Sequence, residues 1–164
     1  MVSYDVNYRP SLWRASGGPE AHRRLTTELV DLVDVLFGVD AATFDDDVGH
    51  FTSSSSALAV VATTHRTVRS ASVQDWTGIA WSRETGRLDG TVYERLQVLD
   101  RVGSGDAFAA GVIHGALTAR SLGESLELGI AHGALVMTTP GDTSSADAND
   151  VDDLALGRDA GVVR

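Results

Sequence analysis

The stretch at residues 100–111 constrains the fold of this chain more strongly than any other feature. It reads Asp-Arg-Val-Gly-Ser-Gly-Asp-Ala-Phe-Ala-Ala-Gly and follows a loosely alternating segment that ends near Leu99. The alternation predicts a strand, the glycines predict a turn, and the small residues from Ser104 or Gly105 onward predict a helix with Phe108 inward. A strand that passes through a glycine turn into a helix is typical of α/β proteins.

The rest of the chain continues this alternation of strands and helices. Strands are expected at residues 3–8, 35–38, 57–63, 67–73, 76–81 and 91–99. Helices are expected from Pro19, where Leu25 and Leu29 form part of an apolar face, and from the glycine turn. Two more are expected, one after a break at Leu122-Gly123 with Leu126 and Ile130 inward, and one at residues 152–156. The polar runs at residues 45–47 and 53–56 predict exposed loops. The pattern predicts one α/β domain with a mostly parallel sheet.

Composition excludes several classes of function. The chain has 164 residues, with 23 acidic against 13 basic residues and a formal net charge of −10, which argues against a nucleic-acid partner. It contains no cysteine, so disulfide scaffolds, thiolate zinc sites and cysteine nucleophiles are excluded. The apolar run at residues 57–62 is too short to span a membrane, and the first residues carry no targeting segment. A cytoplasmic protein is therefore expected.

The basic residues are all arginine, and lysine does not occur. One explanation is a genome that favours arginine codons. The other is a salt-rich cytosol, because molar salt screens charge repulsion within about 3 Å and an acidic surface then stays hydrated at little electrostatic cost. Taken with the acidity, the composition predicts a halophilic source, which describes the environment of the protein and not its activity.

The glycine turn at residues 103–106 predicts a site for an anion. Glycines let successive backbone N–H groups converge, and the start of a helix adds partial positive charge. Asp106 at the rim could accept a proton from a hydroxyl group while the amides hold a phosphoryl group. The alternative is a simple turn with an acidic first-turn residue, which Gly-x-Gly-Asp alone would favour. The stretch is not a Walker loop, and Phe108 replaces the third glycine of a dinucleotide motif.

Three ordered segments resemble the ribokinase-like (PfkB) carbohydrate kinases. Residues 100–111 resemble the C-terminal signature of that family, Asp-Thr-x-Gly-Ala-Gly-Asp-x-Phe, with Arg101-Val102 as in the 2-keto-3-deoxygluconate kinase branch. Residues 5–13, Asp-Val-Asn-Tyr-Arg-Pro-Ser-Leu-Trp, are similar to the Asp-x-Asn-x-Arg-Pro-x-Leu-Trp motif of the same branch. Residues 61–66, with Gly141-Asp142 downstream, fall in the expected order.

The resemblance implies a fold, a reaction and two cofactors. The fold is the C-terminal half of a ribokinase-like three-layer αβα architecture, and the reaction is ATP-dependent phosphorylation of a primary hydroxyl of 2-keto-3-deoxygluconate, with ATP and Mg2+ as cofactors. Asp106 corresponds to the catalytic base. Gly103, Ser104 and Gly105 correspond to an anion hole that stabilises charge on the transferred phosphoryl group.

The resemblance also implies residues that bind the sugar acid. Arg9 matches the family arginine that meets the substrate carboxylate, and a guanidinium binds a carboxylate through two parallel charge-assisted hydrogen bonds. The alternative for Arg9 is a surface salt bridge after a strand. Arg101 either orients the substrate or pairs with Asp100, and the sequence favours neither interpretation.

Nucleotide-binding residues follow from the same resemblance. Thr64 and Arg66 fall where the nucleotide-binding loops of the family begin, although a turn at a strand end would look identical. His132 lies, with two small residues, on the helix that lines the adenine pocket in relatives, and small residues equally allow close packing of a helix on a strand. The histidines show no metal-binding spacing, and no metal ligand is assigned. Residues 38–41 depart from the family Asn-x-x-Glu motif that helps organise magnesium.

The match covers only the C-terminal half of the relatives. Residues 1–164 are therefore expected to carry the nucleotide site and the base, whereas the N-terminal half, which carries the lid and most sugar contacts, is absent. An exposed sheet edge then favours self-association or pairing with a complementary N-terminal half. Three functions stay open: a sugar-acid kinase or another PfkB sugar kinase, a non-catalytic remnant that retains nucleotide binding, and an interaction domain.

Overall fold

The computed structural model describes residues 1–141 and 143–157. Asp142, part of the predicted Gly141-Asp142 segment, lies outside the described residues. The chain divides into two compact units. The first consists of Met1–Thr63 with Trp81–Arg87, and the second consists of Thr64–Ala80 with the chain from Leu88 onward.

Two crossovers from strand to helix to parallel strand build the first unit. Its elements are β1 (Ser3–Asp5), α1 (Pro10–Trp13), α2 (Gly18–Leu29), β2 (Val35–Phe37) and α3 (Phe44–Ser54), followed by the start of β3 (Val60–Val68). β1 pairs in parallel with β2, and β2 pairs in parallel with the first residues of β3. Every residue of β2 is buried, as is typical of a strand covered on both faces.

The second unit combines a hairpin sheet with two long helices. Its elements are the end of β3, most of β4 (Val73–Ser82), the end of β5 (Gly86–Asp89), β6 (Tyr93–Gln97), α4 (Ser104–Leu117), α5 (Leu122–Met137) and α6 (Ala148–Ala155). β4 and β6 are antiparallel. The strand order is β1-β2-β3-β4-β5, with β6 also paired to β4. The α/β class is confirmed, but the sheet is parallel only in its first three strands.

The core of the second unit lies between β4 and the helices α4 and α5. Phe108, Leu126 and Ile130, which the sequence predicts to face inward, are each at most 2% exposed. The indole Nε1 of Trp76 on β4 donates a hydrogen bond to the carbonyl of Ile130 at 3.0 Å. This contact fixes α5 against the sheet and, through α5, the position of α4.

The loops predicted at residues 45–47 and 53–56 are largely helical, so that prediction is wrong. Residues 45–47 form the first turn of α3, where the helix dipole stabilises carboxylates. The hydroxyls of Ser53 and Ser54, in the last turn, donate to the carbonyl of His50. Polar runs of this kind suit helix ends as well as loops, because short polar side chains satisfy the backbone groups that a helix end leaves unpaired.

Two other helices also differ from their predicted form. α5 begins where a break was expected, because Ser121 and Glu124 form a capping box at its start. In α2 the predicted apolar face includes Leu25, which is 40% exposed, whereas His22 and Thr26 are buried. The buried face of α2 is therefore polar, and it lines a cavity of the first unit.

Candidate functional site

The predicted glycine turn lies between β6 and α4 in the second unit. Gly103 has a φ of +82°, a left-handed conformation that glycine adopts without steric cost, and α4 begins at the next residue. Asp100 braces the turn, because its Oδ1 accepts a hydrogen bond from the amide of Val102 at 3.0 Å. The hydroxyl of Ser104 donates to the carbonyl of Arg101 at 3.0 Å. These side-chain bonds hold the turn in one conformation.

Asp100 is a structural organiser of the site that the sequence prediction did not assign. The hydrogen bond from the Val102 amide lowers the pKa of the Asp100 carboxyl below its usual value, and the amides of Gly141 and Arg101 lower it further. The positive charge of Arg101 adds a smaller effect of the same sign. An aspartate that accepts a hydrogen bond from the amide two residues later forms an Asx turn. An aspartate directly before a glycine-rich turn is the sequence signal that could have identified Asp100.

Three backbone amides at the turn have no hydrogen-bond partner within the described part of the chain, namely those of Gly103, Gly105 and Asp106. The first N–H groups of a helix lack an intrahelical acceptor, so they are available to a ligand. The amide of Ser104 differs, because it donates to the carbonyl of Arg101 at 3.4 Å. Its contribution to the predicted anion hole would require that this long hydrogen bond break.

Asp106 is exposed in the first turn of α4, next to the unpaired amides. The space around the turn is open, because a Cβ atom added at Gly105 would meet no atom within 4 Å. A negatively charged group can therefore approach the amides, and a hydroxyl group can approach the carboxylate. The predicted base and the predicted anion hole are thus brought together at the start of one helix.

A cavity of about 220 Å³ lies in the second unit among α4, α5 and the start of α6. His132 lines it from α5, together with His114 from α4 and Asp147 at the start of α6. Burial lowers the pKa of the His132 imidazole, and a hydrogen bond to the carbonyl of Ala107 opposes that effect. The ring is therefore mainly neutral at pH 7; its N–H donates to Ala107, and its other nitrogen can accept a hydrogen bond. His114 and Asp147 were not predicted, because only the packing of three helices brings them together.

Gly133 follows His132 but serves a different purpose. A Cβ atom at this position would lie 2.5 Å from the Trp76 ring and 3.1 Å from the carbonyl oxygen of Ser104. The small residues on α5 could either line an adenine pocket or let the helix pack closely on a strand. Gly133 does the latter, because it packs against Trp76 of β4. Ala134 is likewise buried, at 2% exposure.

Thr64 and Arg66 lie within β3, and the expectation that they begin a loop or a strand-end turn is wrong. β3 continues through Val68 and returns into β4, and the amide of Arg69 bonds to the carbonyl of Val73 at 2.9 Å. Thr64 is half-buried and Arg66 is exposed. Neither residue lines the cavity at His132.

Arg9 lies in the first unit, immediately before α1. Its Nε donates a hydrogen bond to Oδ1 of Asn7 at 3.1 Å, and the amide of Asn7 donates to Oδ1 of Asp5 at 2.9 Å. Arg9 is exposed and forms no ion pair with a described residue, so the alternative of a surface salt bridge is not observed there. The partner of Arg9 is neutral, and most of its N–H donors remain available for a carboxylate.

Residues 1–141 and 143–157 contain neither a cluster of metal-ligand side chains nor a membrane-spanning helix. No three histidine, aspartate or glutamate side chains within those ranges lie close enough together to hold a metal ion. The helices in the same ranges are all too short or too polar to cross a membrane.

Residues 75–149 match the profile of a family described as pfkB family carbohydrate kinase. The predicted resemblance to the PfkB kinases is confirmed. The PfkB match includes the glycine turn, Asp106 and His132, whereas Arg9, Thr64 and Arg66 precede it. The PfkB-like part of the chain is thus the part in which the unpaired amides and the carboxylate lie.

Solved structures extend the PfkB similarity over nearly the whole chain. A PfkB family carbohydrate kinase from Listeria grayi matches with a TM-score of 0.83 and 28% identity, covering 95% of this chain and 50% of that one. A 2-dehydro-3-deoxygluconokinase from Thermotoga maritima matches with a TM-score of 0.80 and 25% identity, covering 96% of this chain and 51% of that one. A protein provisionally named ribokinase II from E. coli, solved with ATP and Mg2+, matches in fold with a TM-score of 0.69 and 16% identity, covering 96% and 49%. The chain therefore spans about half the length of these proteins and has their ribokinase-like fold.

Proposed function

We propose that the chain supplies the phosphoryl-transfer part of an ATP-dependent carbohydrate kinase whose substrate is the sugar acid 2-keto-3-deoxygluconate. The observation that carries the proposal is the group of unpaired amides beside the exposed carboxylate of Asp106 at the start of α4. The PfkB profile match supports the reaction class. The name of the Thermotoga maritima relative and the motif at residues 5–13 support the sugar acid. A complementary N-terminal half would complete the sugar site.

Asp106 acts as the base of the reaction. Its carboxylate is exposed and has no partner among the described residues, so an oxygen is available to a substrate hydroxyl. Transfer of the hydroxyl proton to the carboxylate makes the hydroxyl oxygen a stronger nucleophile. Because Asp106 lies on the helix that also supplies the amides, the proton acceptor and the anion site keep a fixed separation.

The amides of Gly103, Gly105 and Asp106 stabilise the negative charge that develops during the transfer. They are oriented before the reaction by the Asx turn of Asp100, so no reorganisation is needed when the charge appears. ATP, when bound, would supply the phosphoryl group, and Mg2+ would neutralise phosphate charge. The E. coli relative solved with ATP and Mg2+ supports these cofactors for the family.

The cavity at His132 would receive the base of the nucleotide. The free nitrogen of its neutral imidazole can accept a hydrogen bond from the amino group of a purine, and the neighbouring helix surface is small and apolar at Ala110 and Gly111. Thr64 and Arg66 are proposed to contact the nucleotide from β3. These assignments place the nucleotide in the second unit.

Arg9 is proposed to bind the substrate carboxylate. It is exposed, its described partner is the neutral side chain of Asn7, and a guanidinium holds a carboxylate through two parallel hydrogen bonds. Arg101, which is also exposed, is proposed to orient the substrate beside the turn. The guanidinium of Arg9 makes the site selective for a sugar acid over a neutral sugar.

The test measures ADP release with ATP, Mg2+ and 2-keto-3-deoxygluconate in concentrated KCl, using the chain alone and mixed with the N-terminal half of a full-length relative. Asp106→Asn should lower turnover by about 10²–10⁴-fold, the usual contribution of a general base. Asp46→Asn is the matched control, because Asp46 is also exposed and is the third residue of its helix, α3. That control should turn over like the unmodified chain.

Three outcomes would contradict the proposal, two of them its catalytic part and one its substrate. Equal turnover by the Asp106→Asn and Asp46→Asn proteins would exclude Asp106 as the base. ATP binding without ADP release, with and without the complementary half, would show a non-catalytic nucleotide-binding protein instead. Release of ADP with neutral sugars but not with the keto acid would retain the kinase and change its substrate.

A further inference from the structure

His22 is a buried polar residue of the first unit that the proposed function does not use. It lies on α2 and is 8% exposed. Together with Val6 and Tyr8 it lines the cavity of the first unit, whose volume is about 420 Å³. Buried polar groups are normally hydrogen-bonded, so the partners of His22 show what this side chain holds in place. Those partners all belong to residues 5–13, which we call the Arg9 segment.

One hydrogen bond joins His22 to the start of the Arg9 segment. Its Nε2 lies 3.2 Å from the carbonyl oxygen of Val6, and because a carbonyl only accepts, Nε2 is the donor. The amide of Val6 donates to the carbonyl of Phe37 at 3.0 Å. Both backbone polar groups of Val6 are therefore bonded to other elements at the point where the segment leaves the sheet.

Two aromatic contacts hold the Arg9 segment on both sides of Arg9. The centre of the His22 ring lies 4.8 Å from that of Tyr8 and 4.7 Å from that of Trp13, and both pairs meet edge to face. Aromatic pairs favour this arrangement at these distances. Trp13 is also linked to Arg9, because its amide donates to the carbonyl of Arg9 at 3.2 Å.

The backbone within the Arg9 segment is restricted locally. Pro10 limits the residue before it to extended conformations, and Arg9 has a φ of −123° and a ψ of 105°. Asn7 has a φ of +40°, and its amide donates to Oδ1 of Asp5 at 2.9 Å. The described hydrogen bonds of the backbone at residues 7–13 all lie within residues 5–16. Its position relative to the rest of the unit therefore depends on side-chain contacts such as those of His22.

We propose that His22 is a positioning residue, which holds the guanidinium of Arg9 where it binds the carboxylate of a sugar acid. The proposal rests on the role of Arg9 in the proposed function. Two parallel hydrogen bonds between a guanidinium and a carboxylate require the two groups to be aligned. Alignment of this kind depends on the residues that support the binding side chain. Loss of the support therefore weakens the binding of a sugar acid and not that of a neutral sugar.

The test is a titration of the full ¹⁵N-labelled chain with 2-keto-3-deoxygluconate, followed by the signal of the Arg9 Nε–H group. In the unmodified chain this signal should shift saturably with the keto acid, and D-glucose should not move it. His22→Phe keeps a ring beside Tyr8 and Trp13 but removes the donor to Val6. It should weaken the binding of the keto acid by about fivefold, the usual effect of one lost hydrogen bond.

Two further variants separate the hydrogen bond from the stability of the fold. His22→Gln places an amide N–H near the position of Nε2, whereas His22→Asn is one methylene too short to reach the carbonyl of Val6. The Gln variant should bind the keto acid several-fold more tightly than the Asn variant, and this pair gives the same comparison if His22→Phe does not fold. His50→Phe is the matched control, because the His50 ring lies on α3 and bonds to the hydroxyl of Thr27 at 3.0 Å. It should leave the affinity unchanged.

Three results would overturn the inference. The first is equal affinity for the keto acid in His22→Phe and the unmodified chain, or in the Gln and Asn variants. The second is an equal loss in His50→Phe. The third is an equal loss of ATP affinity in His22→Phe, which would show a general structural effect. Arg9→Ala distinguishes the inference from the proposed function: if it abolishes keto-acid binding while His22→Phe has no effect, only the inference fails, and if it has no effect, the role of Arg9 fails as well.

Discussion

The contact between α4 and α5 predicts a large effect from the addition of one methyl group. A Cβ atom at Gly111 of α4 would lie 2.6 Å from the carbonyl oxygen of Leu128, and 2.7 Å and 2.8 Å from the Cα and N of Gly129. All three are backbone atoms of α5, which cannot rotate away as the end of a side chain can. Gly111→Ala must therefore move one helix relative to the other or leave a steric overlap.

The size of the effect follows from two opposing contributions. Overpacking of a well-packed core costs about 1–3 kcal/mol, and the upper part of that range applies where only backbone can move. Alanine in a helix interior gains up to about 1 kcal/mol over glycine. The expected net change for Gly111→Ala is a loss of about 1–2 kcal/mol in the free energy of unfolding.

Gly49→Ala in α3 is the matched control, because a Cβ atom there would meet nothing within 4 Å. Only the helix propensity changes at that position, so the free energy of unfolding should rise by about 0.5–1 kcal/mol. Urea unfolding followed by circular dichroism measures both variants against the unmodified chain. The reasoning would be refuted if Gly111→Ala stabilised the protein as Gly49→Ala is expected to do.

Two further predictions concern Tyr93 and Arg9. Burial, together with the carboxylate of Glu127, raises the pKa of Tyr93 to about 12. The unfolded chain releases this proton near its ordinary pKa of 10.0 while the folded chain retains it, so stability should fall from about pH 10 towards pH 12. Tyr93→Phe should reduce the loss of unfolding free energy between pH 10 and pH 12, as measured by urea unfolding. The same pH dependence in both proteins would contradict this prediction. Arg9→Ala should raise the KM of the reconstituted enzyme for the keto acid much more than for a neutral sugar, and equal changes would exclude Arg9 as the carboxylate ligand.

The sequence predicted those elements whose pattern depends on local chemistry. The buried run of β2 and the helix start after Gly103 needed only hydrophobicity and the turn propensity of glycine. The direction of β6 relative to β4 was not predictable in this way, because alternation is the same in parallel and antiparallel strands. α3 was missed because polar first and last turns were interpreted as loops.

The candidate site was predictable where its residues are neighbours in the sequence and not where tertiary packing positions them. The turn placed Asp106 and its amides together because they are neighbours in the sequence. Thr64 and Arg66 were expected in a loop or turn but lie within β3. The length of β3 depends on its pairing with β4, which is a tertiary property. The burial of His22 was missed for a similar reason, since a buried polar face on α2 contradicts the apolar spacing used to predict its inner side.

An ATP titration of the ¹⁵N-labelled chain in concentrated KCl tests most directly whether the amides at the start of α4 bind phosphate. The amide signals of Gly103, Gly105 and Asp106 should shift together as ATP binds, and Asp106→Asn should retain most of the ATP affinity. ATP binding that leaves all three signals unchanged would contradict the assignment of these amides as the phosphate site.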